Sequence, residues 1–324
     1  GWTLYFAYIS LTGDLLSLNR AEIETLYQNV SSAPVVCIIG MVIFAGLSEF
    51  VVMRGVEKGI EKYSKILMPL LLMMIIIVRV RALTLDGARD GVAFLLKPDF
   101  SKITAESMFV ALGQAFFSLS IGMGAMTTYG AYISKKQNLA SSVVSIAMID
   151  FLVAFLAGLM IFPSAFAFGV NPGEGPGLVF VTLPGIFNQM AFGQLVSIVF
   201  FVLLAIAALT STMSLLEVIV SFLSSEYGIK RKMATFIATS MTVVTGVVCA
   251  MSTTVFNFFD GFSANVMLPL GAFFIILFAS LVLGKDKLKS ELEAHGQEFK
   301  LFNAFYLLVK FVVPIAIGAL FVYC

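Results

Sequence analysis

The chain has 324 residues, 60% of them hydrophobic and 12% charged, with a mean hydropathy of +1.01 and a formal net charge of +1. Soluble domains run nearer half apolar and about a quarter charged, so this composition belongs to the membrane class. A nucleic-acid partner calls for a basic surface, which a near-neutral chain does not offer.

The sequence opens at Gly1 inside an apolar run, with no basic segment and cleavage site of a signal peptide before it. The expectation is a chain that lacks its beginning. Residues 1–12 are a half-length apolar stub, and 13–33 carry Leu15, Leu16, Leu18, Ile23, Leu26 and Tyr27, enough for a short surface helix. A spanning helix needs about 20 mostly apolar residues. Eight stretches qualify: 34–53, 66–82, 107–133, 141–169, 194–224, 233–251, 258–283 and 303–323. Segment 171–190 pairs a Gly/Pro turn with an apolar helix too short to span, which suggests a lid or re-entrant element. Nothing in this layout leaves room for a sizeable soluble domain.

Alternate loops share out the basic residues unequally. One set holds Arg54, Lys58, Lys62 and Lys65, then Lys135 and Lys136, then Lys230, Arg231 and Lys232, and finally Lys285, Lys287, Lys289 and Lys300. The other holds only Arg20, Arg79, Arg81, Arg89, Lys97 and Lys102. The positive-inside rule puts the first set in the cytoplasm and segments 13–33 and 171–190 outside.

Carboxylates inside the spans are the first candidates for chemistry, because each costs about 2.5–3.5 kcal/mol at the bilayer centre. Glu49 and Asp260 lie near span ends, whereas Asp150 and Glu217 lie deeper. No Lys or Arg stands deep enough in a span to pair with either, so a bound cation or polar neighbours are expected to satisfy them. A buried protonated acid is the bland alternative, favoured for Glu217 over Asp150. The span 107–133 contains GQAFFSLSIGMGAMTTYGAY, with Ser118, Ser120, Gly122 and Gly124 at its centre. Two glycines so close weaken a helix by about 1 kcal/mol each. A break there exposes carbonyls to a cation and a half-helix N-terminus to a carboxylate, as an amino-acid zwitterion requires; the alternative is a close helix contact through small residues. Thr210, Ser211 and Thr212 form a hydroxyl cluster in a later span, where back-bonding to their own helix is the plainer reading. The cysteines Cys37, Cys249 and Cys324 lack CxxC spacing, and the single histidine, His295, sits in a charged stretch, so neither a metal site nor a catalytic triad is indicated.

The stretches GVEKGIEKYSKILMP, GQAFFSLSIGMGAMTTYGAY, GPGLVFVTLPGIF and ALTSTMSLLE resemble successive signatures of the neurotransmitter:sodium symporter family, in particular its bacterial amino-acid branch. The resemblance covers essentially the whole chain. It implies an all-α polytopic membrane protein with the LeuT-type inverted-repeat fold. In that scheme 1–12 is half of helix three, 34–82 helices four and five, 107–283 helices six to ten, and 303–323 helix eleven, so the fold is incomplete and the chain alone is expected to be inactive. The implied function is sodium-coupled symport of a neutral, hydrophobic or aromatic amino acid by alternating access, with two sodium sites and no enzymatic activity. Phe117, Ser118, Ser120, Gly122, Met123 and Leu215 would line the substrate pocket. Ser118 and Asp150 would hold one sodium, and the Ala207 carbonyl with the Thr210 and Ser211 hydroxyls the other. Gln114 and Asp260 resemble outer-gate residues. Asp150 stands where Asn is frequent and Ala154 where animal members bind chloride through Ser, so chloride is not expected to be required. The inner-gate acid falls on Ser225, with Glu226 beside it. The partners implied are the amino acid, sodium ions and the lipid bilayer of the inner (plasma) membrane. Another cation- or proton-coupled carrier of the same fold, or a non-transporting membrane subunit, remains the alternative.

Overall fold

The computed structural model describes residues 1–55, 62–133, 137–173, 175–293, 299 and 301–323. Lys58, Lys135, Lys136, His295, Lys300 and Cys324, which enter the readings of charge and chemistry above, lie outside the described residues.

In chain order the helices are α1 (Trp2–Thr12), α2 (Asp14–Ser17), α3 (Arg20–Ser32), α4 (Pro34–Met53), α5 (Lys62–Ala82), α6 (Ala88–Leu96), α7 (Ala105–Ser118), α8 (Ala125–Tyr132) and α9 (Leu139–Ala167). They continue with α10 (Gly177–Phe180), α11 (Thr182–Phe187), α12 (Gly193–Tyr227), α13 (Arg231–Met251), α14 (Thr253–Phe262), α15 (Leu268–Leu277), α16 (Gly284–Leu292), α17 (Phe302–Leu307) and α18 (Val313–Tyr323). No strand occurs among the described residues. Local sequence explains the boundaries. Asn19 and Glu22 form a reciprocal capping box at the start of α3, and Pro34 opens α4 where its missing N–H costs nothing. π-helical turns at Ser263–Met267 and Phe278–Leu283 link α14, α15 and α16.

Among the described residues, six helical runs are long and apolar enough to cross a membrane: Pro34–Met53, Leu139–Ala167, Gly193–Tyr227, Arg231–Met251, Thr253–Leu292 and Phe302–Ala319. The other two expected spans differ in informative ways. Residues 66–82 lie in α5, which carries Lys62 and Lys65 toward one end and Arg79 and Arg81 at the other. Residues 107–133 form two short helices rather than one. The 35 residues of α12 amount to about 50 Å, longer than a bilayer core of about 30 Å, so it tilts or extends into water.

The chain divides into two units, Gly1–Pro98 with Leu152–Thr253, and Asp99–Phe151 with Thr254–Cys324. The first is built round Phe6, Leu15, Ile23, Leu183, Ile186, Phe187 and Phe201, all fully buried. Phe180 of α10 stacks on Tyr27 of α3 and Phe201 of α12, with ring centroids 5.8 and 6.1 Å away. The segment 171–190 is therefore anchored in this core through α10 and α11, where each fully buried large side chain contributes about 1.5–3 kcal/mol. A plain surface connector would bury none of this. The second unit gathers Phe116 of α7, Ala272 of α15 and Ile317 of α18 into its own core.

Candidate functional site

The break in the second unit has a defined geometry. Leu119 caps α7, Ile121 N–H donates to the Phe116 carbonyl at 2.8 Å and Ser120 N–H to the Phe117 carbonyl at 3.1 Å. These two bonds are a Schellman closure, with Ser120 at the left-handed position, φ 55°. A serine there is strained by about 1–2 kcal/mol relative to glycine. Gly122 (φ 87°) and Gly124 (φ 80°) continue the left-handed turns, and α8 begins at Ala125. The segment Leu119–Gly124 thus separates two helix ends, one presenting last-turn carbonyls and the other first-turn amides without intrahelical partners. An added Cβ on Gly122 would strike the Leu268 carbonyl of α15, and one on Gly271 would strike the Gly122 carbonyl.

Asp150 on α9 belongs to the same unit and meets this break. The Ser118 hydroxyl lies 2.7 and 2.8 Å from its two carboxylate oxygens, so it donates to one or shares its proton between them. Asp150 is half-buried and Ser118 exposed. The arrangement offers a pair of carboxyl oxygens and a hydroxyl at a helix C-terminus, where the macrodipole also favours a cation. Along the same stretch Gln114 is exposed, Phe117 is 56% exposed and Met123 is half-buried. Asp260 on α14 is exposed.

The hydroxyl cluster lies in the first unit, on α12. Thr210 donates to the Ala207 carbonyl at 2.7 Å, and Ser211 lies 3.4 Å from the same oxygen. This is the back-bonding pattern common for hydroxyls in helices, and it brings three oxygens to one spot. Ala207 and Thr210 are half-buried, while Ser211 and Leu215, one turn further on, are exposed.

One expectation needs correcting. Glu217 is fully buried, but it does not lack a basic partner. Arg231, at the start of α13, directs Nη1 to the Glu217 carboxylate at 3.0 Å and Nη2 to its other oxygen. Its Nε and Nη2 also donate to the Val52 carbonyl at 3.1 and 2.9 Å. Hydropathy counts Arg231 as a loop residue; the turn after Gly228 is short, so α13 starts close to α12 and its first-turn arginine reaches back. Two other participants were missed. Val52 acts through its backbone, which no side-chain pattern reveals, and Gly271 reads as an ordinary small residue until Gly122 is seen against it.

A helix interrupted beside an acid, within an all-helical, multi-pass membrane protein, is the architecture of a secondary transporter. Comparison with known proteins narrows the class. The sodium:neurotransmitter symporter family model matches residues 26–324. The "Uncharacterized sodium-dependent transporter YhdH" of Bacillus subtilis is 38% identical over 99% of this chain and 74% of its own length. A sodium-dependent transporter of Haemophilus influenzae is 34% identical over the same shares. A crystal structure of MhsT in complex with L-phenylalanine superposes with a TM-score of 0.92 at 35% identity, covering 99% of this chain and 76% of that one. The chain belongs to the sodium:neurotransmitter symporter family. Its class of function is sodium-coupled membrane transport, not enzymatic catalysis, and the inverted-repeat fold inferred from the signatures is the one it adopts.

Proposed function

We propose that this protein carries a neutral, hydrophobic or aromatic amino acid across the inner (plasma) membrane together with sodium, by alternating access. The observation that carries the reading is the Ser118–Asp150 pair at the helix break, 2.7 Å apart. A carboxylate and a hydroxyl there suit a hard monovalent cation, and the free amides at the start of α8 suit the carboxylate of an amino acid. The similarity to MhsT, whose structure holds L-phenylalanine, supports the substrate class. Phe117, Ser120 and Met123 line the pocket in this reading, with Gln114 and Asp260 at its outer gate. Ser118 and Asp150 contribute to one sodium site. Ala207, Thr210 and Ser211 contribute to a second, their two hydroxyls turning from the Ala207 carbonyl to the ion. Asp150 supplies fixed negative charge, which makes chloride unnecessary. The basic loop around Lys230 is cytoplasmic.

Binding of labelled phenylalanine to the purified full-length protein tests this directly. Binding is expected in sodium chloride and in sodium gluconate alike, and not in potassium chloride. Equal binding in potassium chloride would refute sodium coupling. Loss in gluconate would refute chloride independence. The carboxylate at Asp150 also suits a proton-coupled carrier; binding that follows pH and ignores sodium would favour that reading.

A further inference from the structure

The contact between Gly122 and α15 is closer than side chains allow, and glycine is required on both sides of it. A Cβ on Gly122 would meet the Leu268 carbonyl and, at 3.0 Å, the Ala272 amide, the two groups of one helical turn of α15. A Cβ on Gly271 would meet the Gly122 carbonyl, with the Gly122 carbonyl carbon and Cα at 3.1 and 3.2 Å. The backbone of the break therefore lies directly on the backbone of α15, and the Gly122 carbonyl faces that helix. Beside this seam Phe116, in the last turn of α7, packs with Ala272 and Ile317. By contrast Gly113 in α7 and Gly130 in α8 have nothing within 4 Å of an added Cβ. Gly271 has ordinary helical geometry, with no positive φ. An isolated helix would be better served there by alanine. Backbone conformation does not call for glycine at 271; the approach of Gly122 does.

We propose that Gly271 is a positioning residue for transport: it seats the Gly122 peptide on α15 and so fixes Ser118 opposite Asp150 and Met123 at the pocket. Gly122 acts through this seat rather than as a direct substrate ligand. The proposal rests on the reading of the break as the ion and substrate site. A methyl at 271 forces the break away from α15 by a few tenths of an ångström or more, because the atom it meets is backbone and cannot rotate aside. Ion coordination is sensitive to shifts of that size, since ligand oxygens must replace a hydration shell at fixed distances.

The test is the sodium dependence of phenylalanine binding to Gly271→Ala in the purified full-length protein, with Gly113→Ala and Gly130→Ala as controls. Gly271→Ala is expected to raise the sodium concentration for half-maximal binding about tenfold, equivalent to about 1.4 kcal/mol, with maximal binding recovered at saturating sodium. The two controls are expected to match wild type. Phe116→Leu loosens the same seat without adding bulk, and is expected to raise half-saturation about threefold. Wild-type half-saturation in Gly271→Ala, or equal shifts in all three alanine variants, would overturn the proposal. If Gly271→Ala does not fold, Phe116→Leu decides, and a wild-type value there overturns it. Absence of sodium-dependent binding in the wild type would instead remove the functional reading itself, and the proposal with it.

Discussion

Replacing Arg231 with methionine removes a guanidinium that holds three helices at one point. Glu217 on α12 is 0% exposed, and the arginine side chain is 33% exposed. The same group donates twice to the Val52 carbonyl in the last turn of α4. Removing one partner of a buried ion pair costs about 3–5 kcal/mol, because the remaining charge keeps its desolvation penalty. Arg231 reaches partly into solvent, so the lower end, about 3 kcal/mol, is the appropriate figure. At about 2–4 °C per kcal/mol, the melting temperature of the purified protein falls by about 6 °C or more. Arg231→Lys keeps the charge but not the fork that serves a carboxylate and a carbonyl together, and falls about half as far. Glu217→Leu combined with Arg231→Met removes both charges and recovers much of the loss. Thermal unfolding of the four proteins in one detergent provides the comparison. Melting of Arg231→Met within about 1 °C of wild type would refute the reasoning, as would a double variant no better than the single one.

Three further outcomes are expected. Asp150→Asn weakens sodium affinity, and adding Ala154→Ser makes phenylalanine binding chloride-dependent; normal sodium affinity with no anion requirement would make Asp150 structural. If Met123 lines the proposed pocket, Met123→Phe narrows a wall that a flexible thioether otherwise lets repack, so tryptophan affinity falls several-fold more than that of a small aliphatic amino acid, as paired binding isotherms would show. In intact cells a cysteine at Gly173 is labelled by an impermeant thiol reagent and one at Lys230 is not; the reverse pattern would invert the topology.

The sequence made the break legible because its causes are local. Gly122 and Gly124 adopt left-handed geometry that other residues resist, and the flanking hydroxyls of Ser118 and Ser120 mark the same place. Asp150 stood out through the cost of a charge in hydrocarbon, and the structure supplies its polar neighbour in Ser118. Hydropathy alone shows 107–133 as one apolar stretch because it averages across Leu119–Gly124, where hydrogen bonding changes partners. Pairings across helices were hidden. Arg231 lies 14 residues from Glu217, and no helical period connects them; only the turn after α12 does. The Gly122–Gly271 seat depends on two backbones 149 residues apart, and a glycine within an apolar helix carries no sign of what approaches it. The burial of α10 and α11 was half visible. Their apolar residues and short length ruled out a span, but the stacking of Phe180 between Tyr27 and Phe201 is a property of the packed core.

The central claim is that a sodium gradient drives an amino acid through this protein. Its most direct measurement is uptake of labelled phenylalanine by the full-length protein, reconstituted in proteoliposomes with sodium outside and potassium inside. The expected result is accumulation above the external concentration that collapses when an ionophore dissipates the sodium gradient. Accumulation that persists after the collapse, or that a proton gradient drives without sodium, would contradict the account.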